Sequence, residues 1–254
     1  MSEAGSRPAA LVTGASYGVG AATALALASD GYDLVISATR AENLKQTVAS
    51  IEHLGARTVP IMLDLRSRPS IEQAIAAAVT AFGHIDLLVN NAGTNLRRLA
   101  VDVMPAEWDD MIAVNVTGTF LLTQQVGRHL IERARGGAIV NIASTQALVG
   151  APERSTYGIA KAAVVQMTRM LAVEWASHAI RVNAVAPGRM LTASPSRAAT
   201  GADPNYMEAM LKRIPLSRFC TAEEVAAAVA YLAGPSAASI TGQVLVLDGG
   251  LTAM

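Results

Sequence analysis

Tyr157 and Lys161 stand four residues apart near the start of a helical pattern, so both project from one helix face. A free tyrosine titrates near pH 10, too high for efficient proton exchange at neutrality. A neighbouring ammonium favours the phenolate, so such a pair can trade protons near pH 7. Ser144 lies thirteen residues before Tyr157, just past the apolar run Gly137–Ile142. Its hydroxyl can donate a hydrogen bond to an oxygen on which negative charge develops. Asn115 interrupts the apolar stretch Met111–Leu122, where a buried amide needs partners. Taken singly, these residues also read as a packed tyrosine, a solvated lysine, a turn serine and a helix-kink amide.

A second constellation, Thr13-Gly14-Ala15-Ser16-Tyr17-Gly18-Val19-Gly20, sits between an apolar run and a helical pattern. Glycines at a strand-to-helix turn let the backbone approach a pyrophosphate, and the helix N-terminus adds N–H groups and positive dipole. The spacing is G-x-x-x-G-x-G rather than the common G-x-G-x-x-G. Competing chemistry is absent from the pattern. His53, His84, His129 and His178 are scattered, with none at metal-ligand spacing, so no metal site is expected. Asp109-Asp110 and Glu223-Glu224 fall in helix first turns, where acids favour the dipole. Cys220 reads as a packed cysteine rather than a reactive thiol.

The elements that must hold these residues alternate. Strand patterns cover Ala9–Thr13, Asp33–Ala38, Arg57–Leu63, Ile85–Val89, Gly137–Ile142, Ile180–Ala186 and Gln243–Leu247. Most are continuous apolar runs, the mark of strands buried on both faces of a parallel sheet. Helical patterns fall between them, near 19–29, 41–54, 69–82, 105–133, 155–178 and 221–233. This alternation predicts an α/β doubly wound sheet of seven parallel strands with helices on both faces and right-handed crossovers. No linker divides the chain, so residues 1–254 read as one domain. Gly, Pro, Ser and Thr cluster in 188–215, a length expected of a substrate lid.

With 254 residues, 52% hydrophobic and 16% charged, the chain can bury a large core. Twenty basic residues balance twenty acidic ones, which argues against nucleic acid or an anionic membrane as partner. A single cysteine excludes an internal disulfide and suits a reducing compartment. Met1–Ala10 has no apolar core of a signal peptide, and no long apolar run spans a membrane. A cytoplasmic protein with a small-molecule substrate is expected.

The glycine loop, Asn90-Asn91-Ala92-Gly93, Asn115, Ser144, Tyr157-x-x-x-Lys161 and Asn183-Ala184-Val185-Ala186-Pro187-Gly188 resemble, in order and spacing, the short-chain dehydrogenase/reductase family. The resemblance runs from Ala9 to Asp248-Gly249-Gly250. It implies a Rossmann-type fold and an NAD(P)-dependent oxidoreductase acting on an alcohol/carbonyl pair. It makes Tyr157 the general acid/base and lets Lys161 also hold the nicotinamide ribose. Ser144 becomes the donor to the substrate oxygen, and Asn115 the holder of a water that relays protons to the lysine. Further cofactor contacts carry over by motif. They are Gly14, Ser16, Tyr17, Gly18, Val19 and Gly20 in the loop, Asp64 and the Leu65 backbone at adenine, and Asn90, Ala92 and Gly93 beside the adenosine half. Pro187, Gly188 and the Met190 backbone are placed around the nicotinamide, with Thr192 near its amide or the diphosphate.

At the end of the second strand, Ile36-Ser37-Ala38-Thr39-Arg40 lacks the acid that a NAD-selective site places about twenty residues beyond the glycines. Thr39 and Arg40 instead suit a 2′-phosphate, so NADP is the expected cofactor. Tyr17 stands where many NADP-using relatives carry a second basic residue, and Glu42 lies close enough to compete for Arg40. Asn95, Arg97, Gln146 and Leu148 are substrate-facing candidates, with Arg98, Glu153 and Arg154 nearby. The Arg97-Arg98 pair is similar to that of sugar-acid and polyol dehydrogenases in the family. Two other readings compete. One is a 3-oxoacyl thioester reductase docking its carrier on Arg128, Arg133 and Arg135; the other is a dinucleotide-binding redox sensor, against which the intact Asn115, Ser144, Tyr157 and Lys161 argue. Apolar residues on several faces of 105–133 and 155–178, and an edge strand at Gln243–Leu247, predict a homotetramer.

Overall fold

The computed structural model describes residues 7–190 and 204–254. Seven strands form one parallel sheet: β1 (Ala9–Val12), β2 (Asp33–Ala38), β3 (Thr58–Met62), β4 (Leu87–Asn90), β5 (Gly137–Ile142), β6 (Ile180–Pro187) and β7 (Val244–Leu247). Their spatial order is β3-β2-β1-β4-β5-β6-β7, so the winding reverses between β1 and β4. In open α/β sheets, ligands bind at such a switch point, beyond the carboxyl ends of the strands.

Successive strand residues serve opposite faces, and here both faces are covered. Ala10 and Val12 of β1, Leu34 and Ile36 of β2, and Val140 and Ile142 of β5 pack on one side. That layer is completed by α1 (Gly18–Ser29), α2 (Lys45–His53) and α8 (Ala222–Ala233), through Leu27, Ile51 and Val229 among others. Leu11, Val35, Leu88 and Ile139 point the other way, onto α3 (Arg68–Phe82), α5 (Thr119–Arg133) and α6 (Ser155–Trp175). Burying each such side chain stabilises by roughly 1.5–3 kcal/mol, which is why the strands read as unbroken apolar runs.

Helix ends follow local chemistry. Ser67 caps α3 by accepting from Ser70 N–H at 3.3 Å, and Gly83 ends it at φ +77°. Thr221 and Glu224 form a reciprocal capping box at the start of α8. Two expectations change. The run 105–133 is not one regular helix: α4 (Pro105–Ile112) passes through a π-helical turn, Ala113–Gly118, into α5. Residues 41–44 form a 3-10 turn before α2, and Ala176–His178 another after α6. Of the expected lid, 191–203, including Thr192, lies outside the described residues; α7 (Pro204–Lys212) follows. Among the described residues, no helix is long and apolar enough to cross a membrane.

Candidate active site

Thr13 closes β1 and organises the crevice. Its Oγ1 donates to the Val89 carbonyl at 3.2 Å and accepts from the Asn91 and Ala92 N–H groups at 3.0 Å each. Asn91 Nδ2 in turn donates to the Thr13 and Gly14 carbonyls, both at 2.9 Å. The β4 end therefore clamps the glycine loop from below. Gly14 holds φ +65°, and a Cβ at Gly20 would sit 2.2 Å from the Gly14 carbonyl oxygen, so no side chain fits there. Helix α1 begins at Gly18, presenting its first-turn N–H groups and dipole at the loop. A cradle this bare fits a pyrophosphate.

Around it, Ser16 and Gly18 are partly exposed and Tyr17 is exposed. Val19 is buried in the core, so it faces the crevice only through its main chain. Thr39 and Arg40 stand exposed at the end of β2, and no ion pair joins Arg40 to Glu42. Asp64 accepts from the Arg66 N–H at 3.0 Å and its side chain stays 47% exposed, within reach of a ligand; Leu65 is buried beside it. The Asn90 side chain turns inward, donating to Thr123 Oγ1 at 2.7 Å and Asn141 Oδ1 at 2.8 Å. Its main chain and Oδ1 are what is left for a cofactor. Pro187, Gly188 and Met190 line the end of β6, where Met190 bridges to Cys220.

The π-helical turn places Asn115. Such turns bulge a helix by one residue and recur at functional sites. Asn115 Oδ1 accepts from the Thr94 N–H at 3.0 Å and its Nδ2 donates to the Thr94 carbonyl at 2.9 Å. The amide thus grips the chain leaving β4 like a strand partner. Lys161 is 6% exposed, and its Nζ donates to the Ile142 carbonyl at 2.6 Å and lies 5.8 Å from the Tyr157 ring centre. Gly93 lies against both: a Cβ there would be 2.5 Å from Asn115 Oδ1 and 3.8 Å from Lys161 Nζ. Ser144 caps a 3-10 turn, its Oγ accepting from the Gln146 N–H at 3.2 Å. The Gln146 carbonyl is pressed against Gly158, next to Tyr157. Asn115, Ser144, Tyr157 and Lys161 are therefore gathered at the carboxyl ends of β4 and β5.

The substrate candidates divide. Arg97 Nε donates to Glu153 Oε2 at 2.6 Å, Arg98 pairs with Glu107 at 2.8 Å, and Asn95 Oδ1 accepts from Arg154 at 2.6 Å. Gln146 stays beside Ser144, whereas Leu148 is exposed on a groove shared with Arg169, Val173 and Val244. Sequence reasoning passed over Thr13, Asn91 and Thr94 as site builders. Their signal was position alone, polar residues adjoining motif glycines, which ordinary turns also show.

Comparison with known proteins agrees with this geometry. Residues 14–252 match the family model described as enoyl-(acyl carrier protein) reductase. The chain is 39% identical to a 3-oxoacyl-(acyl-carrier-protein) reductase of Thermotoga maritima, covering 95% of this chain and 96% of that one. It is 38% identical to a D-threitol dehydrogenase of Mycolicibacterium smegmatis, over 96% of this chain and 92% of that one. The crystal structure of a short-chain type dehydrogenase/reductase from Mycobacterium marinum superposes with TM-score 0.92 at 33% identity, covering 98% and 97% of the two chains. Fold, site and relatives converge: the chain belongs to the short-chain dehydrogenase/reductase family, as an NAD(P)-dependent oxidoreductase.

Proposed function

We propose that this enzyme uses NADP to interconvert a secondary alcohol and a ketone on a sugar, polyol or sugar acid, with Tyr157 exchanging the proton. The observation that carries this reading is the buried Lys161 ammonium, fixed on the Ile142 carbonyl beside the Tyr157 ring. A bound nicotinamide supplies or accepts the hydride. The glycine loop and the α1 N-terminus hold its diphosphate. Ser144 Oγ accepts from the Gln146 N–H, and its O–H can donate to the substrate oxygen as charge develops there. Tyr157 takes the proton from that oxygen or returns it, with Lys161 as the adjacent positive charge. Asn115 keeps the Thr94 backbone in place around them.

Arg40, exposed at the end of β2 and with no ion pair among the described residues, supports NADP as the cofactor. The D-threitol dehydrogenase relative supports a polyol-type substrate, while the Thermotoga maritima reductase supports the thioester alternative. That alternative loses a docking residue: Arg133 is turned onto Asp86 and the Ile85 carbonyl, at the amino end of β4, away from the crevice. A homotetramer is supported by Ile159, Met170 and Val173, which leave α6 with an exposed apolar face, and by β7 at the sheet edge.

Nicotinamide absorbance, followed with ketoses, polyols, sugar acids and acetoacetyl thioesters and with both cofactors, tests the reading. Turnover of the sugar-type compounds is expected. Turnover of thioesters alone would replace the substrate assignment, and dinucleotide binding without any turnover would favour a redox sensor.

A further inference from the structure

Two adjacent arginines after the β4 turn invite an anionic substrate, yet anions of the protein itself already stand against both. Arg97 Nε donates to Glu153 Oε2 at 2.6 Å, and Arg98 Nη2 lies 2.8 Å from Glu107 Oε1. Glu153 is held by more than its charge. Its carbonyl accepts from the Arg98 N–H at 3.0 Å, so one residue grips the arginine loop through both side chain and main chain. It does so at φ +61°, a left-handed conformation that costs a non-glycine residue and persists only where neighbours impose it. Next to it, Arg154 donates to Asn95 Oδ1 at 2.6 Å, and its carbonyl accepts from the Gly158 N–H at 2.7 Å. The clip is therefore continuous with the helical turn that carries Tyr157.

A substrate carboxylate aimed at Arg97 would have to compete with a carboxylate already 2.6 Å from its Nε, and tethering gives the resident group a high effective concentration. A second observation points to a hydroxyl-bearing substrate. Gln146 Oε1 is buried and accepts from no group among the described residues, although the residue's main chain is bound to Ser144 Oγ and pressed against Gly158. A buried acceptor calls for a donor. A substrate hydroxyl supplies one, on a polyol and on a sugar acid alike, so the choice between them rests on Glu153.

We propose that Glu153 is the resident counter-ion of Arg97, a specificity-determining residue that makes the site select uncharged polyhydroxy substrates over sugar acids. This narrows the alcohol/ketone reading given above and rests on it.

Two readouts test it in wild type, Glu153→Gln and Glu153→Gly. Glycine adopts the left-handed backbone without strain, so the second variant keeps the loop while removing the charge. Gluconate binding to the enzyme–NADPH complex is followed by nicotinamide fluorescence, and kcat/KM is compared for D-threitol and gluconate. Wild type is expected to prefer threitol. Both variants are expected to bind gluconate about tenfold more tightly or better, the scale of one charge-assisted hydrogen bond, with the gain shrinking as salt rises. A wild type that prefers gluconate, or folded variants that bind it no more tightly than wild type, overturns the proposal. Reduction of thioesters with no turnover of either sugar-type compound would instead remove the substrate reading, while the gluconate affinities still judge Glu153 as counter-ion.

Discussion

In the proposed reading, Arg40 carries the cofactor choice. It stands exposed at the end of β2 with Thr39 beside it, and among the described residues no ion pair joins it to Glu42, the carboxylate that could have neutralised it. A charge-assisted hydrogen bond to a 2′-phosphate is worth roughly 1.5–3 kcal/mol, about tenfold to hundredfold in selectivity. Wild type is expected to favour NADP by that order in kcat/KM, and Arg40→Ala to remove the preference; an unchanged ratio would exclude this role. Cys220 is the residue-scale counterexample, chemically able but silenced. Burial first, and then the Glu224 charge, push its thiol up to about 11. Glu224 is held down to about 2 by Arg218, so its charge persists at every working pH. Because the thiolate is the nucleophile, alkylation of Cys220 is expected to be slow at pH 7, to climb about tenfold per pH unit and to level off only near pH 11. A rate that levels off below pH 8 would contradict it. Single residues were legible to different depths. Tyr157, Lys161 and Ser144 announce themselves by spacing, whereas Asn90 and Asn91 look alike in sequence and do opposite things. One amide turns into a buried relay with Asn141, and the other clamps the glycine loop.

Among the elements, the strands were readable because a parallel sheet covered on both faces demands apolar residues at consecutive positions. The π-helical turn at Ala113–Gly118 was not, since its residues keep the composition of an ordinary helix and only Asn115 looked out of place. Its cause is tertiary. Asn115 must reach the Thr94 backbone, and Gly118 must pass over Leu65, where a Cβ would lie 2.1 Å from the Leu65 carbonyl oxygen. The turn thus couples the Asn115 amide to the β3–α3 loop that carries Asp64 and Leu65. Gly118→Ala is expected to displace Leu65, destabilise the fold by about 1–3 kcal/mol as overpacking does, and weaken dinucleotide binding. Calorimetric melting and cofactor titration check it; a variant with wild-type melting temperature and affinity would show that the turn tolerates the methyl group.

For the whole molecule, the apolar residues left over by one sheet define what association must cover. Val173 is 81% exposed and Met170 52%, on the same α6 whose inner side carries Lys161. Covering that surface would also brace the helix that sets Tyr157. Light scattering at micromolar concentration is expected to give the mass of four chains, and a monomer would refute it. The central claim, that this crevice performs hydride transfer with Tyr157 as its proton carrier, meets its most direct test in one measurement. Nicotinamide absorbance is followed with the best polyol or ketose in wild type and in Tyr157→Phe, whose fold and cofactor affinity are verified. The phenylalanine ring keeps the packing and loses only the hydroxyl. General acid–base catalysis contributes about a hundredfold to ten-thousandfold, so turnover is predicted to fall by at least that range with dinucleotide binding retained. Near-normal turnover in the folded variant would contradict the account.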